Sequence, residues 1–169
     1  DVGDEAGKAN IVSEINPYLV DAPYVVIEGR RQPLCNVKSI AFGSMPNDGG
    51  HLLLDDNEKN KLLEQYPQAN HLIRRFIGGE ELINNLDRWC LWLLNVTPDS
   101  IKAVPEIYQR VLDVRKVRSN STRPTTQALS ATPALFGEIR QPNSNYLAIP
   151  EVSSERREYL PIAFISADV

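Results

Sequence analysis

An α+β fold is predicted for this chain: a mixed or antiparallel sheet with a C-terminal meander and several short helices. Three observations predict it. Strand-like and helix-like segments follow one another without regular βαβ alternation. The longest apolar run, "WCLWLL", is the length of a strand. The last third breaks into short apolar stretches separated by polar links. With 169 residues, 42% hydrophobic and 24% charged, the composition suits one domain with a real core and shows no internal repeat.

The elements follow in order. "PYVVIEGRR" (23–31) and "SIAFG" (39–43) are β-branched or aromatic runs bounded by Pro and Gly, and read as strands. "GSMPNDGG" (43–50) has the composition of a turn that needs positive φ. Asp55 and Glu58 have capping-box spacing and open a helix carrying Leu62, Leu63 and Tyr66 until Pro67 stops it. A second helical piece is predicted from Gln68 to Ile77, ending at Gly78 and Gly79. "RWCLWLL" (88–94) lacks alternation, as a central strand does. Thr97 as cap and Pro98 at the first helical position begin another helix, and Pro105 restarts it toward Ser119. "SNSTRPTT" is a polar hinge. The meander then runs through "ALFGEIR" (134–140), the link "QPNSN", "YLAIP" (146–150) and "YLPIAFI" (159–165).

Residues 1–14 read as a linker remnant, being polar and acidic without an initiator Met, and 15–169 as one domain. Cys35 and Cys90 have no CxxC spacing and no signal-peptide pattern is seen, which points to reduced thiols in a cytoplasm. No apolar run nears the roughly 20 residues of a membrane span, so a membrane partner is not expected. The formal charge of -4 gives no global attraction to nucleic acid, so any such role must rest on local clustering.

Catalytic and metal motifs are sparse. His51 and His71 stand without HxxxH, HExxH or a Cys/His cluster, so no metal site is predicted. No GxSxG occurs. "INPYL" (15–19) resembles the Asn/Asp-Pro-Pro-aromatic tetrapeptide that holds the target amino group in DNA aminomethyltransferases, but one proline is missing, and a structural turn at Asn16-Pro17 is the stronger reading. "GSMPNDGG" lacks the P-loop order.

Cationic and amide residues carry more. From Lys102 to Arg123 six Lys/Arg face two acids, a candidate phosphate footprint. Helical periodicity puts Ile107, Val111, Val114 and Arg118 on one face, while Arg110, Arg115 and Lys116 scatter around the helix, so a solvated helix with a snorkelling Arg118 competes with the phosphate footprint. In 134–140 alternation places Phe136, Glu138 and Arg140 on one face, and Gln141, Asn143, Ser144 and Asn145 extend that polarity into the link, either as base-edge and phosphate partners or as an ordinary polar hairpin. "SSERR" (153–157) sets Ser153, Ser154, Arg156 and Arg157 around Glu155. Arginines beside Glu155 would keep it ionised and a weak base, so catalysis fits poorly; an anion grip and a structural salt-bridge network both remain open.

"FGSMPNDGG", "RWCLWL", "TPALFGEIRQP" and "VSSERREYLPIAF", in this order and at these separations, resemble the target-recognition domain of MmeI-like type IIL restriction-modification enzymes. The resemblance runs from about residue 15 to the end, and it implies that the domain is truncated on its C-terminal side, since family members continue past Val169. It implies that the chain grips double-stranded DNA while an S-adenosylmethionine-dependent adenine-N6 methyltransferase domain of the same polypeptide flips out the target base, with a nuclease elsewhere. The family's "PNDGG", "RQP" and "SSERR" segments fall on Pro46–Gly50, Arg140–Pro142 and Ser153–Arg157; their recurrence in enzymes reading different sites implies phosphate gripping or scaffold work more than base choice.

The expected function is therefore a non-catalytic DNA-binding domain of a site-specific adenine methyltransferase and endonuclease. No cofactor is expected in this chain; S-adenosylmethionine and a divalent metal belong to the parent's other domains. The leading contacts are Arg140, Gln141, Asn143, Arg156 and Arg157, beside the hydroxyls of Ser153 and Ser154. Arg30, Arg31, Asn47, Arg115, Lys116 and Arg123 are phosphate candidates of second rank. Two alternatives stand: a protein-interaction module docking on the methyltransferase, marked by apolar exposure, and a small hydrolase, which would need Asp48, Glu138 and Glu155 in one pocket.

Overall fold

The computed structural model describes residues 11–26, 28–154 and 156–169. The linker reading of 1–14 lies mostly outside them, as does Glu155. The chain divides into two units, Asp1–Ala41 and Phe42–Val169.

In the first unit, Asn16 closes a turn: its Oδ1 accepts the N–H groups of Tyr18 and Val20 at 3.0 and 3.1 Å. Ile15 and Asp21 bridge across it, and Leu19 takes φ 61°. The turn reading of "INPYL" agrees with this geometry. The strands predicted for 23–31 and 39–43 do not form among the described residues. Tyr24, Val25 and Val26 are exposed, as are Ile40 and Phe42. β-propensity expresses fit to a neighbouring pleated surface, and these runs have no partner strand among the described residues.

The second unit is α+β. Its elements are β1 (Leu53–Leu54), α1 (Asp56–Gln65), a 3-10 turn (Pro67–Leu72), β2 (Ile73–Arg75), α2 (Gly79–Asn84), β3 (Trp89–Leu91), α3 (Pro98–Lys102), α4 (Pro105–Ser119), α5 (Pro124–Ala128), a 3-10 turn (Leu129–Ala131), β4 (Tyr146–Ala148) and β5 (Ala163–Ile165). β3 is the middle strand of an antiparallel sheet ordered β1-β3-β2, and β4 pairs with β5 antiparallel.

Local chemistry explains most boundaries. The Asp55 side chain accepts the Glu58 N–H at 2.8 Å while the Glu58 carboxylate accepts the Asp55 N–H at 3.0 Å, completing the capping box of α1. Thr97 Oγ1 accepts the Ser100 N–H at the start of α3. Prolines occupy the first position of α3, α4 and α5, where a missing N–H costs nothing. The helix predicted over 68–77 is replaced by the 3-10 turn and β2, because Ile73–Arg75 pair with Leu91–Trp89. Gly78 and Gly79 open α2 instead of ending a helix: Glu81 accepts the Gly78 N–H at 3.0 Å. Likewise α5 begins inside the polar hinge, at Pro124.

The core packs β1, β3 and the 3-10 turn against α1 and α4, through Leu52, Leu62, Leu72, Leu91, Ile107 and Val114, none more than 1% exposed. Each such side chain contributes about 1.5–3 kcal/mol of burial. The predicted apolar face of α4 is buried throughout, including Arg118 at 0% exposure, so Arg118 does not snorkel. Phe136, predicted to share a strand face with Glu138 and Arg140, instead parts from them and packs edge-on against Trp92 with centroids 5.1 Å apart. Residues 134–140 form no strand; a single bridge joins Glu138 to Met45.

Candidate functional site

Three segments of the second unit bring polar side chains to the surface. The first is a short ribbon in which Met45 and Glu138 exchange N–H···O bonds at 2.9 and 3.0 Å and the Gly137 N–H reaches Pro46 O at 3.1 Å. At its end the Arg140 N–H donates to Ser44 Oγ at 2.9 Å, leaving the Arg140 side chain exposed. Its guanidinium pairs with Glu138. Both side chains are about 40% exposed, and water screens such a pair enough for an incoming anion to compete for the arginine.

The second segment is the link that follows. Gln141 spends its amide on main-chain carbonyls, donating to Ala167 at 3.0 Å and Val169 at 2.6 Å. The Asn145 side chain accepts the Ala167 N–H, and Tyr146 Oη donates to Val169 O. Gln141 is thus a brace for the C-terminal segment, while Asn143 and Ser144 stay exposed.

The third is the turn at 153–157. The Arg157 N–H donates to Ser154 O at 3.0 Å and the Arg156 N–H to Ser154 Oγ at 3.2 Å, a hydroxyl-supported turn. Both arginine side chains point to solvent, and neither is in an ion pair among the described residues. Ser153 Oγ is buried without a hydrogen-bond partner among those residues.

Beneath the ribbon lies Arg118 in a role that the sequence did not indicate. Arg118 donates five hydrogen bonds to main-chain carbonyls: Nε to Asn47 at 2.9 Å, Nη1 to Leu129 and Thr132 at 3.0 and 2.9 Å, and Nη2 to Pro46 and Leu135 at 2.8 and 2.7 Å. A fixed planar fork with five N–H groups is what such a set of acceptors requires. Burial lowers the proton affinity of this guanidinium and the nearby Asp48 charge raises it again. Asp48 is itself 3% exposed, and its two oxygens accept the Gly50 N–H at 3.1 Å and the Leu52 N–H at 2.5 Å. Asn47, Gly49 and Gly50 hold φ of 46°, 68° and 89°. A Cβ on Gly49 would also press on Val117 Cγ1 at 3.1 Å. Asp48 and the glycines of the "PNDGG" loop are thus committed to holding the loop's own backbone.

Chain comparisons now bear on this arrangement. The family described as "MmeI, target recognition domain" matches residues 21–169. The chain belongs to the MmeI target recognition domain family. DNA methyltransferase A of Bacillus subtilis (strain 168) is 36% identical over 158 residues, covering 94% of this chain and 18% of its own length. The solved structure of the type IIL restriction-modification enzyme MmeI in complex with DNA superposes with a TM-score of 0.81 at 39% identity, covering 93% of this chain and 21% of that one. The chain spans about a fifth of these relatives.

Within this target recognition domain, the fold joins Asn47 and Arg140 through one ribbon. Arg115 and Lys116 are exposed on α4, and Arg123 is exposed just before α5. Arg30 and Arg31 are exposed in the first unit. Arg110, read as scattered, is half-buried and bonds Glu58 at 2.7 Å; burial raises the Glu58 proton affinity, but that guanidinium and the Asp55 N–H outweigh it and hold the carboxyl below its usual value. Of the three carboxylates of the hydrolase alternative, Asp48 is committed to backbone N–H groups and Glu138 to Arg140, while Glu155 lies outside the described residues. What sequence reasoning missed is that Arg118 and Asp48 are buried and bonded to the chain's own backbone. The available signal for Arg118 was its place on the apolar face of α4; its acceptors, up to 72 residues away in sequence, carry none.

Proposed function

We propose that this target recognition domain grips double-stranded DNA and positions it for a methyltransferase domain of the same, longer polypeptide. The observation that carries this reading is the pair Arg156 and Arg157, exposed on a hydrogen-bonded turn, without acid partners among the described residues. Arg140 and Asn143 add a second cationic and amide presentation, and Arg115, Lys116 and Arg123 a third. Exposed guanidinium groups carried on a turn whose backbone is hydrogen-bonded suit phosphate oxygens, which take a charge-assisted fork.

The adenine-N6 methyl transfer from S-adenosylmethionine and any metal-dependent cleavage are assigned to other parts of the parent, in a bacterial cytoplasm. Among the described residues no three His, Cys, Asp or Glu side chains are grouped to hold a metal ion. None of the described helices is long and apolar enough to cross a membrane.

The test is Arg156→Ala combined with Arg157→Ala in the complete polypeptide, titrated against duplex DNA across a salt series. Weaker binding is expected, with the slope of log K against log salt reduced by about 0.9 per lost phosphate contact. An unchanged slope with a lowered melting temperature would assign the pair to a structural network instead.

A second role is favoured by a different observation. Leu147 and Phe164 are paired across β4 and β5 and are 65% and 70% exposed; Ile149 and Ile162 follow on the same face. Contiguous apolar exposure of this kind marks contact with protein. Docking on the methyltransferase domain would cover it, and Phe164→Glu should then weaken domain association while leaving the salt slope of DNA binding unchanged.

A further inference from the structure

The ribbon that presents Arg140 has no long ladder to hold its register. Among its cross-links are the Met45–Glu138 bonds, the Gly137–Pro46 bond and the Arg140–Ser44 bond. Ribbons this short slip or splay easily. Arg118 sits where that freedom is removed. Its Nη2 bonds Pro46 O on one side of the ribbon and Leu135 O on the approach to the other, and its Nε bonds Asn47 O. Pro46 O receives both the Gly137 N–H and Arg118, so one acceptor ties the ribbon to the guanidinium. Through Nη1 the same group anchors Leu129 and Thr132, the turn that leads into Leu135.

We infer that Arg118 is a positioning residue for DNA recognition: by clamping Pro46, Asn47 and Leu135 at once it sets the register of the Met45/Glu138 ribbon, and with it the place where Arg140 is presented. It touches no ligand itself, being fully buried. The inference rests on the reading of Arg140 as a DNA contact. A lysine at 118 keeps the positive charge but not the planar five-donor fork, so the charge of the domain is unchanged while the clamp loosens. Gly137→Ala disturbs the ribbon from the other side with Arg118 intact, since a Cβ there would lie 2.7 Å from Asn47 Nδ2, 2.8 Å from Asn47 Cβ and 3.0 Å from Leu129 Cδ1.

The experiment is a double-mutant cycle on the complete polypeptide, with affinity for a short mixed-sequence DNA duplex measured at a temperature where circular dichroism shows every protein folded. Arg140→Ala alone is expected to weaken binding about tenfold, in line with loss of a charge-assisted contact. Arg118→Lys alone is expected to weaken it comparably, and the combination no further than Arg118→Lys alone. Should Arg140→Ala cost the same factor in the Arg118→Lys background, Arg118 is only a stabiliser and the inference falls while the DNA contact stands. Should Arg140→Ala alone change nothing, the contact reading falls and takes the inference with it. If Arg118→Lys does not fold, the cycle is run with Gly137→Ala, for which the same non-additivity is expected and simple additivity overturns the inference.

Discussion

The cradle around Arg118 and the turn at 153–157 use the same side chain to opposite ends. Arg118 lies at 0% exposure with all five acceptors supplied by its own chain. Arg156 and Arg157 sit on a turn whose backbone is satisfied by Ser154, with their guanidinium groups left to solvent. A buried cation must find its hydrogen bonds inside the fold or not be there; an exposed one on a firm turn holds its donors for something else. What separates scaffold from site here is where the acceptors come from, not residue type.

The sharpest way to break that contrast is to make the same substitution in both places. Arg118→Lys should produce the largest loss of stability. An ammonium offers three donors on a flexible stem where five carbonyls are waiting. Among the described residues the Thr132, Leu129 and Pro46 carbonyls also accept backbone N–H groups, but those of Asn47 and Leu135 accept only from Arg118. Leaving such acceptors short costs roughly 1–3 kcal/mol each, so a loss of about 3 kcal/mol is expected in urea denaturation. A loss below about 1 kcal/mol would mean that water readily replaces the guanidinium, and that the cradle is not what holds the two loops.

The same contrast explains what could be read beforehand. Helix starts were legible because their chemistry is local: Asp55 with Glu58, Thr97 with Pro98, Pro105. So was β3, whose unbroken apolar run fits a middle strand. The helix expected over 68–77 failed because pairing of Ile73–Arg75 with β3 overrides local preference, and pairing is not written in the segment itself. The strands expected at 23–31 and 39–43 failed for the converse reason, having propensity without a partner among the described residues. At the site, exposure of Arg140, Arg156 and Arg157 followed from their polar surroundings. The bracing role of Gln141 did not, because its acceptors lie 26 and 28 residues downstream.

Asp48 extends the buried side of the comparison. Asp48→Asn keeps shape but offers one carbonyl oxygen where two oxygens now accept N–H groups, so either Gly50 or Leu52 loses its partner. A loss of about 1–2 kcal/mol is expected by thermal or urea unfolding. Fully preserved stability would show that the loop is held by its glycines alone.

Cys90 provides a buried titrating group that, unlike Arg118, is kept neutral. It is 4% exposed, and burial pushes its thiol up to about 12, although the Arg74 charge and backbone work the other way. The folded value is above the unfolded one, so the stabilising difference is fully present below pH 9 and is lost as pH rises toward 12. By pH 10 the loss should be about 1.4 kcal/mol. Cys90→Ala should remove that part of the alkaline slope, and an identical slope in the variant would place the titration elsewhere.

The smallest effect is expected where the lysine substitution is repeated on the turn. Arg156→Lys with Arg157→Lys leaves both positive charges in solvent and breaks no bond to the other described residues, since the bonds that shape the turn run through backbone N–H groups and Ser154. The melting temperature should not move. Counterion release depends on the number of charges brought to phosphates, so the salt slope of duplex binding should also be retained, in contrast to the alanine pair. What can change is affinity at fixed salt, because a lysine meets a phosphate as a point charge while an arginine can grip two oxygens. An unchanged slope with weakened affinity would mark these arginines as forked phosphate contacts. A shifted melting temperature would instead put Arg156 and Arg157 on the same side of the comparison as Arg118.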